Sequence, residues 1–241
     1  MEEKRSLRNI RIKVFNIGWW FYVVLTILFL FLITLLSSGM DRDTKLKMIL
    51  YLSIFEYILL RFYKYSLKDI RDDYNWYNEW PCYLCNQSTL LCILSALIDH
   101  QGIMSYCVTV GTIGALLAIF MPDRYNRDQL LFSRQAFGFY GYHGLLVVTC
   151  LSFYTTGVYE PRPIHALWGM GITFVLAVIA HIINVILRKS GLNPKANYVY
   201  TCDPDNFIFE KLYKIVPIRL VYLIPVMLGF GMISYIALSI M

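Results

Sequence analysis

Long apolar blocks are the feature that most limits what this chain can fold into. A helix needs about 20 mainly apolar residues to cross the hydrocarbon core of a bilayer. The 241-residue chain offers seven segments of that kind, at 18–38, 47–66, 80–98, 103–121, 136–157, 164–187 and 216–240. The third is the weakest, because Asn86, Gln87, Ser88 and Thr89 fall in its first turns. Only 16% of the residues are charged and 58% are hydrophobic, whereas a soluble domain carries roughly 25% charged residues. So little charge cannot coat a water-facing surface. The expectation is an all-α polytopic membrane protein, a compact bundle of about seven transmembrane helices.

Orientation follows from the lysines and arginines, which accumulate in cytoplasmic loops. Of the 22 in the chain, 18 fall on one side: the leader before residue 18, the 61–79 and 122–135 linkers, and the 188–215 linker with Arg219. The remaining four lie at 42–47 and at Arg162. This places the N-terminus in the cytoplasm and the C-terminus outside. Residues 1–17 read as a basic cytoplasmic leader, and 18–241 as a single transmembrane domain. The first apolar block is longer than a signal-peptide core and no small-x-small cleavage site follows, so it reads as a retained helix. The net charge of +6 is scattered between apolar blocks. It therefore acts as a topology signal, not a nucleic-acid stripe, and the implied partners are membrane lipids.

A polar group inside a membrane needs a hydrogen-bond partner or a functional reason. At about 1.5 Å per residue, Cys82 and Cys85 lie roughly 3–8 Å below the cytoplasmic surface, His143 about 10 Å, and His181 and Asn184 about 5–9 Å. Five reactive or hydrogen-bonding side chains therefore share one depth, while His100 and His165 fall at the outer boundary. A thiol becomes a good nucleophile when an imidazole takes its proton. Asn184 can orient that imidazole or donate to a developing oxyanion. Cys82 and Cys85 are three apart, and on a helix both would face one groove. Asn86 and its neighbours would line a polar pocket beside them. Gly138, Gly141 and Gly144 let another helix or a lipid headgroup approach His143 closely.

Other polar residues have blander readings. Cys92, Cys107 and Cys150 look like small packing residues. The C-x-x-C of Cys82 and Cys85 has no second half to complete a zinc site, so neither a metal nor a cofactor is implied. Glu56, about 15 Å deep, is either part of an ion or proton route or a carboxyl bonded to a neighbouring helix.

Trp80-Pro81-Cys82-Tyr83-Leu84-Cys85-Asn86, then His143-Gly144, Asn184 and Asn197-Tyr198, occur in an order that resembles the YwaF family of bacterial integral membrane proteins. That family is related to the transmembrane protein 164 acyltransferases. The likeness runs from Trp80 to Pro225 and includes Pro122. It implies a multi-pass protein of the bacterial plasma membrane, transferring a fatty acyl group between lipids with a cysteine–histidine pair. His143 matches one member of that pair. In the animal relatives the proposed nucleophile directly follows a proline, as Cys82 does. Bacterial members more typically carry Pro-Leu-His-Leu-Cys, whose cysteine matches Cys85, and Tyr83 replaces the histidine. Both cysteines stand as candidates. Glu56, Asn86, His181, Asn184, Asn197 and Tyr198 are the candidate substrate-binding residues. The competing expectation is a non-catalytic small transporter or lipid-binding protein built around Glu56.

Overall fold

The computed structural model describes residues 10–69, 74–123, 126–204 and 207–241. Helices stand at all seven expected positions. α1 (Ile17–Leu36) is capped by Asn16, whose side chain accepts from Trp19 N. α2 (Arg42–Ser66) is capped by Asp41, with Asp43 in its first turn and Lys64 in its last, charges that suit the helix dipole. α3 (Leu84–Ile98) is followed by α4 (Gln101–Phe120) and α5 (Arg134–Thr155), and then by α6 (His165–Lys189). An eighth helix, α7 (Phe207–Ile215), lies in what reads as a linker. α8 (Val221–Ile240) closes the bundle. Five of these, α1, α4, α5, α6 and α8, are long and apolar enough to cross a membrane. α2 carries too many charges and α3, at 15 residues, is too short.

Three boundaries differ from the sequence expectation, each for a local reason; α2 starts at Arg42 and not at 47, because Asp41 caps it. The third segment does not begin at residue 80. Pro81 has no N–H, Cys82 N donates back to Trp80 O at 2.7 Å, and the helix starts only at Leu84. Cys82 therefore sits in a turn, not on a helix face shared with Cys85. The last segment begins at 221 and not 216, because Leu220 has a left-handed backbone (φ 63) that breaks the run. The end of the basic leader is also built in. Ile12 is fully buried, and the backbone of Ile10–Ile12 bonds to Gln129 and Leu131 in the α4–α5 connection.

α5 is the axis of the bundle. Within its apolar window 83% of residues are buried, against 17% for α1, so α1 is a lipid-facing wall and α5 is enclosed. α1, α2, α3 and α4 all pack against it. A π turn interrupts α4 at Cys107–Gly111 and another interrupts α5 at Phe137–Gly141. Insertions of this type re-aim the following side chains and are common at functional sites. Outside the bundle core, Arg42 grips Asp99 with two hydrogen bonds of 2.9 and 2.6 Å, tying the start of α2 to the α3–α4 turn. The guanidinium holds the Asp99 carboxyl below its ordinary range.

Gly138 shows how tightly α5 is held. A methyl group there would lie 2.8 Å from Tyr63 Cδ2 and 2.9 Å from its Cβ. Gly138→Ala is expected to destabilise the protein by about 1–3 kcal/mol through overpacking. Gly171→Ala, where nothing lies within 4 Å, should be neutral or slightly stabilising. Thermal unfolding of the detergent-solubilised variants measures the difference.

Candidate functional site

The residues singled out from the sequence collect into two neighbouring groups. The first is centred on His143. Its Nδ1 lies 2.8 Å from Phe139 O, a carbonyl of the α5 π turn. A carbonyl only accepts, so Nδ1 carries the proton and Nε2 is left as the basic nitrogen. Phe139 and Tyr142 flank the ring at 4.5 and 4.7 Å. Cys85 is linked to the same helix through Thr89, whose hydroxyl lies 3.3 Å from Cys85 O and 2.9 Å from Tyr142 OH, the residue before His143. Cys85 packs toward α4, where a methyl group on Gly114 would stand 3.9 Å from its sulfur.

The second group gathers around Cys82. It packs with Ala180 and Leu187 of α6 and with Ala196 and Tyr198 of the segment that follows. That segment, residues 193–204, forms a strap over the C-terminal end of α6. Asn184 holds it, donating Nδ2 to Tyr198 O and Thr201 Oγ1 and accepting from Tyr198 N, all at 2.9 Å. Asn197 cages the next turn by accepting from the N–H groups of Cys202 and Asp203. His181 Nδ1 contacts Thr201 Oγ1 at 3.2 Å and Cys202 Sγ at 3.9 Å. Val199 and Tyr200 have left-handed backbones, φ 54 and 57, a strained conformation that these side-chain clamps maintain. Burial pushes the Tyr198 phenol above its ordinary range.

His181, Asn184, Asn197 and Tyr198 thus do meet, but as the fastening of a strap. Asn184 has spent both amide protons there and has none left for an oxyanion. Glu56 lies deeper. Fully buried in α2, it accepts from the Thr89 hydroxyl of α3, which itself stands 2.9 Å from Tyr142 OH of α5. Among the described residues no three His, Cys, Asp or Glu side chains converge as metal ligands. Two shallow apolar grooves lie between α6 and α8 and along α1, and neither is lined by a residue of either group.

Several contributors escaped the sequence reading. Lys64 pairs with Glu79 at 2.8 Å, the glutamate only 1% exposed. The ammonium also lies 5.3 Å from the Tyr83 ring, which meets the Tyr198 ring edge-on at 5.0 Å, so this pair joins the two groups. In the sequence Lys64 registers only as one more cytoplasmic charge, and nothing local links it to residue 79. The Phe139 carbonyl leaves no sequence trace beyond its i−4 spacing from His143.

Asn86 is only 4% exposed, and its Nδ2 is the one buried side-chain nitrogen without an acceptor among the described residues. An unpaired buried donor costs about 1–3 kcal/mol. Tyr83, at the N-cap of α3, makes no side-chain capping hydrogen bond.

Apolar helices enclosing these polar groups define a multi-pass membrane protein. Residues 14–236 match the model of the TMEM164 family, and the chain belongs to that family. No curated protein and no solved structure matches it.

The strap analysis carries its own test. Asn184→Ala removes three hydrogen bonds and leaves the Tyr198 backbone groups unpaired, so a loss of about 2–4 kcal/mol is expected. Labelling of Cys82 by N-ethylmaleimide, mapped by mass spectrometry, should rise in this variant relative to wild type.

Proposed function

We propose that this protein is a lipid acyltransferase working from the cytoplasmic leaflet, with Cys85 as nucleophile and His143 as general base. The observation that carries the reading is the imidazole: Phe139 O fixes the tautomer, and Nε2 is the nitrogen a base requires. Cys82 fits the nucleophile's role less well, since Trp80, Tyr83, Tyr198 and the strap surround it. The Cys85 thiol attacks the carbonyl carbon of an ester lipid while its proton passes to His143. The donor's C–O bond then breaks, and the leaving alkoxide takes that proton. A hydroxyl of the acceptor lipid next attacks the thioester, re-forming an ester and the free thiol.

Seven membrane crossings, with α2 and α3 included, an N-terminus inside and a C-terminus outside, complete the proposal. The site then opens toward the cytoplasmic leaflet of a bacterial plasma membrane. Basic loops on that side attract anionic headgroups, at about 1 kcal/mol per nearby charge. The non-catalytic alternative needs a route past Glu56, yet that carboxyl is fully buried and held by α3.

Lipid profiling of cells expressing wild type and single variants tests the chemistry. Cys85→Ala and His143→Ala should abolish the change in acyl composition that wild type produces, and Cys82→Ala should retain much of it. Identical profiles for wild type and all three variants would refute the enzymatic reading. For the topology, an alkaline phosphatase fusion after residue 241 should be active and one at residue 68 inactive.

A further inference from the structure

We infer that Asn86 is the oxyanion donor of this site, its side-chain amide receiving the negative charge that develops when a thioester forms on Cys85. This rests on the acyltransferase reading and adds a catalytic residue to it. A thiol attacking an ester moves the carbonyl π electrons onto oxygen, and the rate depends on donors already in place for that oxygen. Such a donor must be buried, next to the nucleophile and not bonded to anything else.

The asparagine that sequence position favoured does not qualify. Asn184 gives its two protons to Tyr198 O and Thr201 Oγ1. Asn86 is buried and unbonded, and it stands on the same first turn of α3 as Cys85. It directly follows Cys85, it is 4% exposed, and its Nδ2 has no acceptor. Side chains on a helix lean toward its N-terminus, which carries this amide over the first turn of α3. Tyr83 provides no side-chain cap for that turn. Asn184 Nδ2 has two acceptors, whereas Asn86 Nδ2 has none among the described residues, and a buried amide donor calls for an oxygen. The oxygen it fits is the carbonyl of a lipid ester whose carbon bonds to Cys85 Sγ. When the intermediate collapses, the electron pair returns to the C=O, the ester C–O bond breaks, and the alkoxide leaves with the proton held on His143.

The experiment uses the full-length protein in nanodiscs containing phosphatidylethanolamine with an alkyne-tagged acyl chain. Two reactions of Cys85 are compared. One is formation of a hydroxylamine-sensitive acyl thioester, which passes through an oxyanion; the other is alkylation by iodoacetamide, which does not. Asn86→Ala and Asn86→Asp are expected to slow thioester formation by about 10²–10³-fold and to leave alkylation within about twofold of wild type. Thioester formation at the wild-type rate in both variants overturns the inference. A parallel fall in both reactions also overturns it, since that marks a structural role. Absence of the thioester in wild type itself refutes the acyltransferase reading and this inference with it, an outcome distinct from a variant without effect.

Discussion

A carboxyl group in the middle of α2 has no water to turn to, and the helices around it are arranged accordingly. Glu56 accepts from Thr89, and Thr89 meets Tyr142, so one polar contact ties α2, α3 and α5 at a common height. Buried groups of this type are expensive unless paired, which makes the register of these helices a condition of burying Glu56 at all. Cys85 lies one turn before Thr89 and His143 one residue after Tyr142. The network therefore also fixes the relative heights of Cys85 and His143.

Two irregularities make the rest of the arrangement. Pro81 delays the start of α3, which turns Cys82 out toward α6 and leaves Cys85 in the first helical turn. The π turn of α5 brings the Phe139 carbonyl to His143 Nδ1. A straight helix through 134–155 would direct His143 differently, because one inserted residue rotates everything after it by about 100°. Small backbone departures, not additional functional groups, decide which imidazole nitrogen is basic and which cysteine stands on the helix.

The strap over α6 and the Lys64–Glu79 pair close the end of the bundle that holds Cys82. Both depend on residues far apart in the chain: Asn184 with Tyr198 and Thr201, Arg188 with Asp203, Asn193 with Asn78. The strain at Val199 and Tyr200 persists because these clamps over-determine the backbone. The ion pair of Lys64 with Glu79, beside the Tyr83 ring, links the two groups.

Composition and the spacing of apolar blocks were enough to read the membrane class and the seven helix positions. Those features follow from the cost of polar groups in hydrocarbon and from the fixed rise of a helix, both of which act residue by residue. The missing turn at Pro81, the eighth helix and the break at Leu220 lay at the limit of that reading, because a local proline or a left-handed residue shifts a boundary without changing hydropathy. Partnership was beyond it. Asn184 and Asn86 look alike as letters, and only the packed chain shows that one has spent its protons while the other has kept them. The depth of a side chain is a one-dimensional property that the sequence carries. Its hydrogen-bond partners depend on how distant helices meet in three dimensions, and the tertiary structure alone decides that.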